Sequence, residues 1–175
     1  MKKLFLLLVA VASISMTSYA QTVAYVDVSV VLDAMPEYGA AQRAIEQTAE
    51  KWKQEIEQKY SEIEEMYSRY QAEQVLLSDK ARKQREEEIV QKEKQVRGLQ
   101  QKRFGPGGEL FKKRQSLVKP IQDKVHNSIE EYSNEKGIDI MFDKSSGVNI
   151  IFANPKYDKT DDLLSKLGVK KKEDK

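Results

Sequence analysis

The sequence predicts an α+β protein: a long antiparallel α-helical hairpin, a coiled-coil-like arm, on a small β-strand body. Three observations predict it. Residues 39–136 are mostly Glu, Lys, Gln and Arg, with no proline before Pro106. Short runs rich in β-branched and aromatic residues lie on either side, at 22–28 and 138–153. A single rod of ~100 helical residues would be ~150 Å long, so the charged zone must fold back.

The first twenty residues have the pattern of a cleaved secretory signal. Lys2 and Lys3 give a positive start, Leu4 to Ala12 is apolar, and Ser18-Tyr19-Ala20 offers small residues where a signal peptidase reads. Cleavage is expected near Ala20, placing the chain in the periplasm. The full chain has 30 Lys+Arg and 28 Asp+Glu; without Lys2 and Lys3 the remainder is neutral. That balance argues against a nucleic-acid partner. There is no cysteine, so an exported chain must be stabilised by helix packing or oligomerisation.

Thr22 to Val28 reads as a strand, and Ser29 as the cap of a short helix over Val30–Ala34 that Pro36 interrupts. The ascending helix is expected from Gly39 to Leu77, ~58 Å long. Ile45, Ala49, Trp52, Ile56, Tyr60, Ile63, Tyr67 and Tyr70 recur at a mean step of about 3.6 residues, one face of a nearly straight helix. Leu77-Ser78-Asp79 is the expected tip, with the descending helix starting near Lys80. That helix is poor in apolar residues: Ala81, Ile89, Val90, Val96 and Leu99. Glu55–Lys59, Glu65–Arg69, Glu88–Lys92 and Glu93–Arg97 are spaced for same-helix pairing, at ~0.2–0.5 kcal/mol each.

Gly105-Pro106-Gly107-Gly108 must break the descending helix, since Gly disfavours helix by ~1 and Pro by ~3 kcal/mol. Folding about Ser78 sets this break opposite Trp52. It is a packing accommodation or a candidate hinge; both alternatives stand. Helix resumes at Glu109, bends at Pro120 and stops at Gly137. Ile138–Phe142 and Val148–Phe152, around Ser-Gly147, read as a β-hairpin. A last helix over Asp161–Leu167 has Thr160 as its expected N-cap and Gly168 as its terminator. The domains expected are thus a signal at 1–20, a body at 21–38 plus 109–168, an arm at 39–108 and a polar tail at 169–175.

Catalysis is not expected. One histidine and no cysteine leave no ordinary metal site or thiol nucleophile, and no phosphate-binding or nucleophile-elbow motif occurs. No metal and no cofactor are expected. His126 reads as a partly buried packing residue. The candidate functional residues are instead a contact surface: Trp52, Ile56, Tyr60, Ile63, Met66, Tyr67, Tyr70, Leu76 and Leu77. Tyr supplies large amphipathic contacts and Met adapts to varied partners. Their alternative role is to close the hairpin seam.

Val23-Ala-Tyr-Val-Asp27 with Met35-Pro-Glu-Tyr38, Phe104-Gly-Pro-Gly-Gly-Glu-Leu-Phe-Lys-Lys-Arg-Gln115, Lys119-Pro-Ile-Gln-Asp-Lys124 and Asn154-Pro-Lys-Tyr-Asp-Lys-Thr-Asp-Asp162 resemble the Skp/OmpH periplasmic chaperones, in a form like those of Bacteroidetes. The resemblance implies a homotrimer whose strands join into one body. It implies three helical arms around a cavity that holds unfolded outer-membrane proteins without ATP. Val23, Tyr25, Val26, Ile138, Ile140, Phe142, Ile150 and Phe152 would then form the trimer body. One departure is charge: the better-known enterobacterial members are strongly basic. Membrane or lipid contact is an open alternative, and a structural coiled-coil scaffold of the envelope is the competing function.

Overall fold

The computed structural model describes residues 21–147 and 150–171. The expected signal at 1–20, Val148 and Asn149 of the expected hairpin, and 172–175 of the expected tail lie outside them. Element order is β1 (Val23–Val26), α1 (Val28–Ala34), α2 (Pro36–Glu73), α3 (Asp79–Phe104), α4 (Glu109–Lys136), β2 (Ile140–Asp143), a 3₁₀ turn (Pro155–Tyr157) and α5 (Thr160–Leu167).

The long helices form where the sequence permits. The short helix α1 ends at Ala34, before Pro36 as expected, and Pro36 then occupies the first turn of α2, where its missing N–H is no loss. α2 ends at Glu73, one turn before the expected Leu77. Ser78 caps α3, its hydroxyl accepting from the Ala81 N–H at 3.3 Å. The glycine run separates α3 from α4. Gly137 ends α4 at φ 63°, and Ile138 donates its N–H to the Ser133 carbonyl at 2.9 Å while packing on the core.

The caps of the two short helices differ from expectation. Asp27, not Ser29, caps α1. Its carboxylate accepts from the Val30 N–H at 3.2 Å and from the Ser29 hydroxyl at 2.6 Å. Thr160 is the first residue of α5 rather than its cap. Its hydroxyl accepts from the Asp27 N–H at 3.0 Å and donates to Asp158 at 2.6 Å, tying α5 to the end of β1. Gly168 ends α5 at φ 70°, as expected.

Among the described residues the expected β-hairpin is not found. β2 pairs in parallel with β1, in the register Val23–Ile140 to Val26–Asp143. Among the described residues these two strands are the whole sheet, and Ile150–Phe152 belong to no strand. After β2, the Asp143 carboxylate turns inward to accept from the Ser145 N–H at 2.8 Å and the Val28 N–H at 3.3 Å. The Val26 carbonyl accepts from the Lys144 N–H at 2.8 Å, extending the contact between the two strands.

Two apolar clusters follow. The body cluster buries Val26, Val31, Leu32, Ala34, Met35, Ala41, Ile121, Val125, Tyr132, Leu163 and Leu164. The arm cluster buries only Ile56, Ile63, Ile89 and Val96. Polar ties close the body: the Tyr132 hydroxyl donates to Asp162 at 2.6 Å, Lys166 meets Glu135 at 2.8 Å and Lys124 meets Glu37 at 2.7 Å.

Candidate functional site

The apolar stripe of α2 divides along its length. Ile56 and Ile63 turn into the seam and are buried against Ile89 and Val96 of α3. Met66 and Tyr70 are half-buried against the same cluster, and Leu77 is half-buried at the tip. Of the expected contact residues, Tyr60, Tyr67 and Leu76 stand exposed. Tyr67 is 50% exposed, Leu76 85% and its neighbour Val75 81%. Val90, Phe104 and Phe111 also stand exposed and were not among the expected contact residues. Phe104 was legible in principle, as the apolar residue immediately before the glycine run.

The tyrosines are positioned by α3. The Tyr60 hydroxyl donates to the Gln100 side-chain oxygen at 3.2 Å, which leaves the ring face outward. The Tyr70 hydroxyl donates to the Glu86 carboxylate. That bond, with burial second, raises the Tyr70 pKa above the ordinary tyrosine value. Of the four expected same-helix pairs, Glu93–Arg97 closes at 3.3 Å. Glu88 turns to Arg85 at 3.7 Å, and Glu55 crosses to Arg103 of α3 at 3.7 Å.

Gly105–Gly108 form a clasped corner. Arg103 stacks its guanidinium 4.3 Å from the Trp52 ring centroid, meets Glu55 and pairs with Glu109 across the break. Trp52 meets Phe104 edge-on, centroids 6.3 Å apart. Burial would raise the Glu109 pKa, but Lys102 and Arg103 outweigh it and hold the carboxyl below its ordinary value. A Cβ at Gly105 would sit 2.3 Å from the Gln101 carbonyl oxygen, so glycine is required for the chain to double so tightly.

The expected body residues divide too. Tyr25 and Val26 are buried within the chain, and Ile138 and Ile150 are half-buried. Val23, Ile140 and Phe142 are about 40% exposed, Phe152 is 81% exposed, and Ile151 is fully exposed. Val23, Tyr25, Phe142, Ile150, Phe152 and Tyr157 line an open apolar cavity of about 700 Å³ beside the sheet. His126, expected to be partly buried, is exposed on α4. Among the described residues no three acidic, histidine or cysteine side chains group as metal ligands, and no helix is long and apolar enough to cross a membrane.

The sequence profile of a family described as outer membrane protein (OmpH-like) matches residues 22–167. No curated protein matches the chain in sequence. The fold is similar to the crystal structure of a candidate outer membrane chaperone (OmpH-like) from Caulobacter crescentus CB15, with a TM-score of 0.70, 13% identity and 87% of each chain covered. At that identity the likeness speaks for the fold.

Proposed function

The chain belongs to the Skp/OmpH family, and from that premise we propose that it is a chaperone: an ATP-independent periplasmic holdase that shelters unfolded outer-membrane proteins between helical arms. The observation that carries this is the unequal arm. α2 brings aromatic residues to a helix, α3, that buries only Ile89 and Val96. Tyr60, Tyr67, Val75, Leu76 and Val90 are left as dispersed apolar contacts. Dispersed weak contacts suit a chain with no fixed shape, whereas a spacer or scaffold wants a continuous, buried seam.

A homotrimer belongs to the same proposal. Two strands of four residues do not make an independently stable sheet. The exposed faces of Val23, Ile140, Phe142 and Phe152 would be covered by neighbouring copies. Three arms raise client affinity over a single contact by ~10²–10⁴. In this division of labour residues 39–108 grip, while 21–38 and 109–168 assemble.

The test uses the chain from Gln21 onward, with an unfolded β-barrel outer-membrane protein diluted out of urea. Light scattering should fall at one trimer per client without nucleotide; undiminished scattering would contradict the proposal. Changing Tyr60, Tyr67 and Leu76 together to Ser should weaken client binding while sedimentation still reports a trimer.

A further inference from the structure

We infer that the groove beside Ala49 is a subsite for a polypeptide segment bearing a large apolar side chain flanked by lysine or arginine. This deepens the proposed client binding and rests on it.

The groove opens to solvent between α2 and the end of α3, with a volume of about 510 Å³. Its floor is Ala49, Ile56, Tyr60 and Phe104. The gap exists because Ala49 is a methyl where the next stripe positions, Trp52 and Ile56, are large. Phe104 meets Trp52 edge-on and Tyr60 donates to Gln100, contacts that hold the floor, with both residues about 40% exposed.

The rim is acidic. Glu46, Glu50 and Glu57 border the groove against one cation, Lys53, which sits 3.8 Å from Glu57. Glu50 accepts from Gln54 at 3.1 Å, and among the described residues no cation pairs with Glu46 or Glu50. The α3 side contributes neutral Gln100. α3, whose five Asp/Glu against nine Lys/Arg reverse the balance of α2, places no charged side chain in the groove's lining. An apolar floor under an acidic rim selects an apolar side chain with cationic neighbours and disfavours one with anionic neighbours.

The experiment compares fluorescein-labelled Lys-Leu-Phe-Leu-Lys and Glu-Leu-Phe-Leu-Glu by anisotropy on the chain from Gln21. The lysine peptide should bind about tenfold tighter at low salt, an advantage that salt screens. Glu46→Gln, Glu50→Gln and Glu57→Gln together should bring the two peptides within about twofold of each other. Ala49→Leu fills the gap and should weaken both peptides at least about fivefold, with helicity and melting unchanged. Equal binding of the two peptides, or full affinity in Ala49→Leu, overturns the subsite. Aggregation suppression of the unfolded barrel is measured alongside. Suppression without peptide preference removes the groove and keeps the client role; preference without suppression removes the client role and keeps the groove as a peptide site.

Discussion

The body and the arm are built from the same kinds of helix but not the same kind of core. The body gathers eleven buried residues, ten from β1 and four helices plus Met35 between α1 and α2, around Val31, Val125 and Leu163. The arm runs 38 residues out and 26 back on a seam of four. α3 has almost no amphipathic face, so its helix depends on α2 for whatever it buries. Burial drives folding at roughly 25 cal/mol per Å² of apolar surface. The body therefore sets global stability, and the arm opens locally at much lower cost.

The largest effect expected from that contrast is Leu163→Ala. Leu163 is fully enclosed between α5 and the rest of the body, and its loss should cost ~2–5 kcal/mol and lower the global urea midpoint. Ile89→Ala should instead accelerate amide exchange along 79–104 and leave the body midpoint close to wild type. Equal global shifts from the two variants would make arm and body one cooperative unit. Next is Gly105→Ala. Its Cβ must displace the Gln101 carbonyl, at about 1–3 kcal/mol, and loosen the Arg103–Glu109 clasp. Exchange at 101–112 should rise, with little change at β1. Ser78→Ala should cost ~1 kcal/mol, confined to the start of α3, and Ser78→Asp should restore it.

The smallest effects are in pH. The Glu109 pKa is depressed in the fold, so its contribution is present above the ordinary value of 4.5 and is lost as pH falls through the lower folded value. Acid should loosen the corner. Tyr132 is pushed up to about 12, by burial first and the Asp162 bond second. Its contribution is complete below the ordinary 10.0 and fades as pH rises through about 12. Tyrosinate absorbance should show this ring titrating late, and Tyr132→Phe should remove the late step.

Local chemistry was legible in the sequence, and long-range pairing was not. Ser78, Gly137, Gly168 and the glycine run each act on their own turn, and each sits where its residue type requires. The stripe from Ile45 to Tyr70 gave the right helix, but periodicity alone could not divide Ile56 and Ile63 in the seam from Tyr60 and Tyr67 outside it. That division depends on which residues α3 places opposite. The second apolar run suggested a hairpin because its nearest partner in sequence was β2. The partner β2 takes is β1, more than a hundred residues earlier, which leaves Ile151 and Phe152 exposed. Asp27 displaced Ser29 as a cap because a carboxylate at that position reaches both the Val30 N–H and the Ser29 hydroxyl.

The central claim is that the arm grips and the body does not. Amide exchange of the chain from Gln21, with and without an unfolded β-barrel client, tests it most directly. Exchange along 45–104 should slow in the presence of client, with 121–132 and 160–167 unchanged. Protection confined to the body helices, with an arm indifferent to client, would contradict it.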